Sequence, residues 1–144
     1  MDLIVVGVDG SDAAQDALRW ATAEARVHGA QLRVVHAWQF PYAGVSPYGG
    51  MSIDPADVEV AARQVLDEAV GAADLTGLAS PPESVLLSRP PSEALVDAAD
   101  GADLLVVGSR GRGGFSELLL GSISHQVATH ATCPVVIVRH QPTT

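Results

Sequence analysis

"LIVVGVDGSDAAQDALRWATAEARVH", residues 3–28, decides the fold. Leu3 to Val8 form a short apolar run rich in β-branched side chains and without polar alternation, the pattern of a strand covered on both faces. Asp9-Gly10-Ser11 then breaks the run, and Ser11 stands where an N-cap oxygen is wanted. Beyond it Ala13, Ala17, Leu18, Ala21 and Ala25 recur on one side of a helix over 12–28. A buried strand, a glycine turn and a capped helix open a parallel α/β unit.

The same alternation continues outward. Leu32 to Ala37, Ser84 to Leu87, Leu104 to Val107 and Val135 to Val138 read as four further strands. Residues 55–75, with Val58, Ala62, Val65, Ala69 and Ala73 on one face, read as a second helix, and 92–100 and 122–131 as two shorter ones. This βαβαβαβαβ string predicts a Rossmann-like α/β fold, an open sheet of five parallel strands with helices on both faces. In the common order 3-2-1-4-5, the ligand crevice lies where strand one ends at Asp9 and strand four ends at Gly108. Residues 39–54, "QFPYAGVSPYGGMSID", interrupt the rhythm with prolines and glycines and read as a flap after the second strand. With no repeat and no linker, 1–144 reads as one domain, ending in a frayed "HQPTT".

Composition narrows the function. Hydrophobic residues make up 47% of the chain and charged residues 17%, an ordinary globular balance. The formal net charge of −9 disfavours nucleic acid and anionic membrane as partners. All 8 basic residues are Arg; the chain has no lysine. The single cysteine, Cys133, excludes an internal disulfide and reads as a small apolar residue at a strand entrance. The start has no basic n-region and reaches Asp9 too early for a signal peptide, and no apolar run approaches the roughly 20 residues that span a bilayer. The expected location is the cytoplasm.

The chemistry concentrates in "GSRGRGGFSELLLGSISHQV", residues 108–127. Gly108, Gly111, Gly113 and Gly114 can leave consecutive main-chain N–H groups pointing inward as an anion nest. Ser122 falls at the start of the last helix, where amides and macrodipole favour negative charge, and its hydroxyl can cap the helix or donate to phosphate. Arg110 and Arg112 offer forked donors suited to phosphate. These features favour a polyphosphate site; the alternative is a glycine-rich connection that only lets the helix pack.

Other phosphate motifs fail. A Walker A loop and a protein kinase both need a lysine. The first turn, "GVDGSDAAQ", is not G-x-G-x-x-G. A phosphoacceptor receiver domain wants an aspartate ending the third strand and a lysine ending the fifth; Ser88-Arg89 and Arg139 stand there.

The spacing Gly108-x2-Gly111-x9-Gly121-Ser122 resembles the signature of the ATP-binding branch of the universal stress proteins. "VVGVDGSDAAQDALRWA", "VVHAW", "ADLLVVGSRGRGG" and "HATCPVVIVR" extend the resemblance in order over nearly the whole chain. It implies an adenine nucleotide alpha hydrolase-like fold and a cytoplasmic, ATP-binding homodimer that serves a stress response through an unidentified protein partner. Carried over by position, Gly108, Ser109, Arg110, Gly111, Arg112, Gly113 and Gly114 would wrap ribose and phosphates. Gly121, Ser122, Ile123 and Ser124 would complete the phosphate end, and Gly7 and Asp9 would face the adenosine. Ala37 would read the adenine edge through its main chain, with Val107 as an apolar wall. Asp9 would bind ribose hydroxyls or, through water, a Mg²⁺ or Mn²⁺ on the phosphates; otherwise it is a helix N-terminal charge beside Ser11. The family often has glycine before its proline-led third helix, where this chain has Arg89-Pro90. Family resemblance also pairs the edge strand 135–138 with its copy across a two-fold axis.

Catalytic readings are weaker. His125 and His130 lie five apart, the wrong spacing for a shared metal, and His36 reads as a satisfied core histidine. No Gly-x-Ser-x-Gly elbow positions a nucleophile. Without lysine, in-line base or second carboxylate near the loop, at most slow ATP hydrolysis is expected. Two other functions stay open: a nucleotide-free module that uses the fold to dimerise, and an ATP-using enzyme completed by the flap or a partner.

Overall fold

The structure is a computed structural model that describes residues 1–39, 54–110 and 120–140. Five strands alternate with four helices among these residues: β1 (Leu3–Gly7), α1 (Asp12–His28), β2 (Gln31–Trp38), α2 (Pro55–Gly71), β3 (Glu83–Ser88), α3 (Pro91–Ala98), β4 (Leu104–Gly108), α4 (Ser122–His130) and β5 (Val135–Val138). All neighbouring strands pair in parallel, in the order β3-β2-β1-β4-β5. The expected sheet, its order and its edge strands are those observed.

Local chemistry explains where the elements begin and stop. Ser11 accepts the Ala14 N–H at 3.2 Å as the N-cap of α1. Gly29, at φ 62°, ends that helix in a left-handed cap whose N–H turns back to the Ala25 and Arg26 carbonyls. Asp54 caps α2 by accepting the Ala56 N–H at 2.9 Å, so the last residue of the expected flap belongs to the helix cap. Residues 40–53, the rest of that flap but for Gln39, lie outside the described residues.

The central strands are buried on both sides, which is why their sequences do not alternate. Ile4, Val5 and Val6 are all fully buried. Ile4, Val6, Leu32 and Val34 face α1 and α2, where Ala17, Leu18, Ala21 and Leu66 complete one core. Val5, Val35, Leu105 and Val107 face α3 and α4, against Leu95 and Val127. Two of the helix expectations need correction. The buried residues of α2 are Ala62, Leu66 and Ala69, while Val58 and Val65 are half-buried. The helix also stops at Gly71 and not at 75, because Asp74 accepts the Thr76 N–H at 3.1 Å in a local turn that competes with helix. Arg26 of α1 holds that turn by donating to the Asp74 and Thr76 carbonyls, both at 2.5 Å. Among the described residues, no helix is long and apolar enough to cross a membrane.

Candidate functional site

Because β1 and β4 are neighbours whose following helices lie on opposite faces, their C-terminal ends part and leave a crevice. Gly7, Val8 and Asp9 line it from β1, and Val107, Gly108 and Arg110 from β4. Val35 and Ala37 line it from β2, and Ile123 and Ser124 from α4. Thus eight of the expected site residues, Gly7, Asp9, Ala37, Val107, Gly108, Arg110, Ile123 and Ser124, meet in one place. Ser109 and Gly121 are buried beside them, and Ser122 is exposed. Gly111, Arg112, Gly113 and Gly114 lie outside the described residues.

The turn after β1 is built by Gly10, whose φ of 85° suits a residue without a side chain. It lets Ser11 fold back and donate its N–H (2.9 Å) and its Oγ–H (2.5 Å) to Oδ1 of Asp9. Asp9 is therefore part of the entry to α1 and also a wall of the crevice. It is the one carboxylate among the described lining residues. Gly108 has a packing reason to be glycine: a Cβ there would stand 2.8 Å from the main-chain carbon of Ala13 in α1. A Cβ at Gly7 would meet both Leu95 methyls at 2.9 Å.

The ladder between β1 and β2 closes with the Val8 N–H donating to the Val35 carbonyl at 2.9 Å. In a parallel pair alternate residues address the same neighbour, so two residues on the Ala37 main chain points past the end of β1 into the crevice. His36 contributes here. Its Nδ1 lies 2.8 Å from the Val8 carbonyl, which can only accept, so Nδ1 carries the proton and occupies that oxygen. His36 is buried and satisfied, as its sequence position suggested.

At the opposite wall, Gly121 is the N-cap of α4 and no side chain caps the helix. Ser122 therefore does not take the capping role open to it; it is the first helical residue and faces solvent. The amides of a helix's first turn have no intrahelical partner and carry the positive end of its dipole, here beside Arg110, Ile123 and Ser124. Sequence reasoning missed Val8, Ala14, Val35, Pro91 and Leu95, which also line the crevice. The signal for the last two was present in the helical spacing from Pro91 to Leu95, which puts both on one face of α3. No group of three or more His, Cys, Asp or Glu suited to a metal occurs among the described residues.

Asp103, just before β4, is held low by the N–H groups of Leu3 and then Asp2, which it accepts at 3.0 and 2.6 Å. Burial, followed by the charges of Asp100 and Asp103, pushes the Cys133 thiol up, which fits a packing residue.

A sequence model described as the universal stress protein family matches residues 1–139. The chain is 41% identical over 140 residues to a universal stress protein of Thermus aquaticus, covering 94% of this chain and 97% of that one. It is 37% identical to a universal stress protein of Mycobacterium tuberculosis, but there it spans 97% of itself and only 46% of the relative, about half of a longer protein. Among solved structures, a universal stress protein from Archaeoglobus fulgidus in complex with dAMP is similar, with a TM-score of 0.68 and 31% identity over 96% of this chain and 98% of that one. A universal stress protein in complex with cAMP is similar with a TM-score of 0.62 and 30% identity, covering 97% and 98%.

Proposed function

The chain belongs to the universal stress protein family, and from that premise we propose that it binds an adenine nucleotide, ATP with Mg²⁺ or Mn²⁺, between the ends of β1 and β4. The observation that carries the reading is the convergence of three recognition elements on one crevice. Ala37, the apolar Val107 and Ile123, and Arg110 with Ser124 of the first turn of α4 all line it. An adenine edge needs a donor and an acceptor, its faces need apolar cover, and its phosphates need positive dipoles and forked donors. That relatives at 30% and 31% identity are complexes with cAMP and dAMP supports the class of ligand.

The preference for a triphosphate rests on the sequence: Arg110, Arg112 and the glycines of 111–114 offer forked donors and main-chain N–H groups, and Gly121, Ser122 and Ser124 belong to the same signature. Asp9 suits a single-carboxylate, water-mediated contact to a metal that the phosphates hold, since Mg²⁺ keeps most of its waters. Such an ion would neutralise the charge that Asp9 and the phosphates share. Turnover is expected to be slow, because a chain without lysine offers no cation of that kind to the transferring phosphoryl group. The biological role proposed is a cytoplasmic, nucleotide-gated stress-response component, a single domain that dimerises along β5 and hands its state to a protein partner.

The test is chemical identification of small molecules released when the purified protein is heat-denatured, followed by calorimetric titration with ATP, AMP and adenosine. Release of adenine nucleotide and tighter binding of ATP are expected, together with a loss of ATP affinity on chelation of divalent cations. A chain that neither carries nor binds any adenine nucleotide would refute the reading. It would favour the dimerising module instead, for which Gly7 and Gly108 already have packing reasons of their own. Steady-state turnover near 1 s⁻¹, an ordinary enzyme rate, would overturn the slow-hydrolysis part.

A further inference from the structure

We infer that Ser124 is a positioning residue for the crevice: its buried hydroxyl locks the start of α4 onto the end of β4 and so aims the first-turn amides of the helix. The functional consequence rests on the nucleotide reading above. Ser124 is only 3% exposed, and its Oγ lies 3.0 Å from two carbonyls, those of Gly121 and Ser109. The hydroxyl has one proton, which the two carbonyls share; the Gly121 contact is the local back-bond that serines commonly make in helices. The Ser109 bond is not local, since it reaches across 15 residues to the residue that follows β4.

Ser109 is a firm anchor. It is 6% exposed, and its N–H donates to the Val138 carbonyl of β5 at 2.8 Å. Its own carbonyl accepts the Gly121 N–H at 2.6 Å as well as the Ser124 hydroxyl. One peptide oxygen thus takes two donors from the helix start while the sheet holds it from the other side. The Gly121 bond alone is a pivot; the second donor, three residues further on, fixes the tilt of the helix about that pivot. Amides that face an anion bind best when their direction is set beforehand, because no ordering remains to be done on binding.

Removing the hydroxyl does not strand its acceptors. The Ser109 carbonyl keeps the Gly121 N–H, and the Gly121 carbonyl keeps the His125 N–H at 3.0 Å. Ser124→Ala is therefore expected to fold, and to lose mainly the setting of the helix.

Two measurements test this on the full chain. One is the ATP dissociation constant of Ser124→Ala, expected to rise about fivefold, the scale of one hydrogen bond's net contribution. The other is amide hydrogen exchange of nucleotide-free protein, comparing the Gly121 N–H with the Val8 N–H at the β1–β2 ladder. Selective acceleration at Gly121 is expected, because the pivot bond opens more often once the second donor is gone. Unchanged ATP affinity in the variant overturns the inference. So does weaker ATP binding without selective exchange at Gly121, which would mean that the hydroxyl acts on the ligand directly. If the wild-type chain binds no adenine nucleotide, the reading of the crevice falls, and the exchange arm by itself decides whether the clasp exists.

Discussion

Single residues in this chain carry more than one duty, and the glycines show it best. In the sequence, Gly108 stands among four glycines and reads as part of an anion nest. In the structure the space for its side chain is filled by α1, at 2.8 Å from the Ala13 main chain. Main-chain atoms cannot swing aside, so Gly108→Ala must move α1 or the end of β4. It is expected to lose about 1–3 kcal/mol, the cost of overpacking, read as a lower midpoint in chemical denaturation. Gly7→Ala meets only the methyl ends of Leu95, which can rotate, and is expected to cost less. An equal or larger loss at Gly7 would show that α3 is held more rigidly than its side-chain contact implies. Asp9 is double in the same way, closing the entry to α1 through Ser11 while it lines the crevice.

At the scale of elements, the helices and strands are tied at their ends by side chains that reach backbone groups far away in sequence. Asp103, ahead of β4, accepts the N–H groups of Leu3 and Asp2 and so holds the start of β1 beside its neighbour. These bonds favour the charged form and hold its carboxyl below the ordinary carboxylate range. The sign follows from linkage: the stabilisation is present above the unfolded pKa of about 3.9, and is lost as pH falls through the lower folded value. Asp103→Asn should lower the melting temperature at pH 7, and the gap to wild type should close in strong acid. A constant gap at every pH would mean that shape and not charge makes the contribution. Arg33 ties β2 likewise, to Glu83 at the start of β3 (2.9 Å) and to the Ala98 carbonyl at the end of α3 (3.0 Å). The expected helix over 55–75 fell short for a related reason, since Asp74 and Arg26 together make a turn that the apolar spacing alone did not disclose.

At the scale of the whole molecule, the sheet formed by the described residues has two edges, β3 and β5. The bonds from Leu105 to Pro134 and from Ser109 to Val138 turn the groups of Pro134, Val136 and Val138 toward β4. By parallel alternation, those of Val135 and Ile137 face outward. If β5 pairs with its copy, Ile137→Pro removes an outward N–H without touching the β4 ladder. A monomer by sedimentation, with ATP affinity retained, is the expected result; an unchanged dimer would place the interface elsewhere. A nucleotide bound as proposed would bridge β1, β4 and α4, so it should stabilise the fold as a unit, by about 2.7 kcal/mol at a hundredfold excess over its dissociation constant. A thermal shift that follows ATP concentration checks this. Much of this architecture was legible beforehand. Burial of a strand on both faces suppresses alternation, helices need caps and an apolar stripe, and those rules act over a few residues, so Leu3 to Val8 and Ser11 announced themselves. The Gly108–Gly121 spacing likewise pointed to the candidate crevice, which Gly108 lines. Which residues complete that site was a different matter. Pro91 and Leu95, the seat of α1 against Gly108, and the bond from Ser124 to Ser109 all depend on how separate elements meet in space. Local pattern determines what each segment becomes; only packing between segments decides which atoms face one another, because those distances join residues that the chain itself keeps apart.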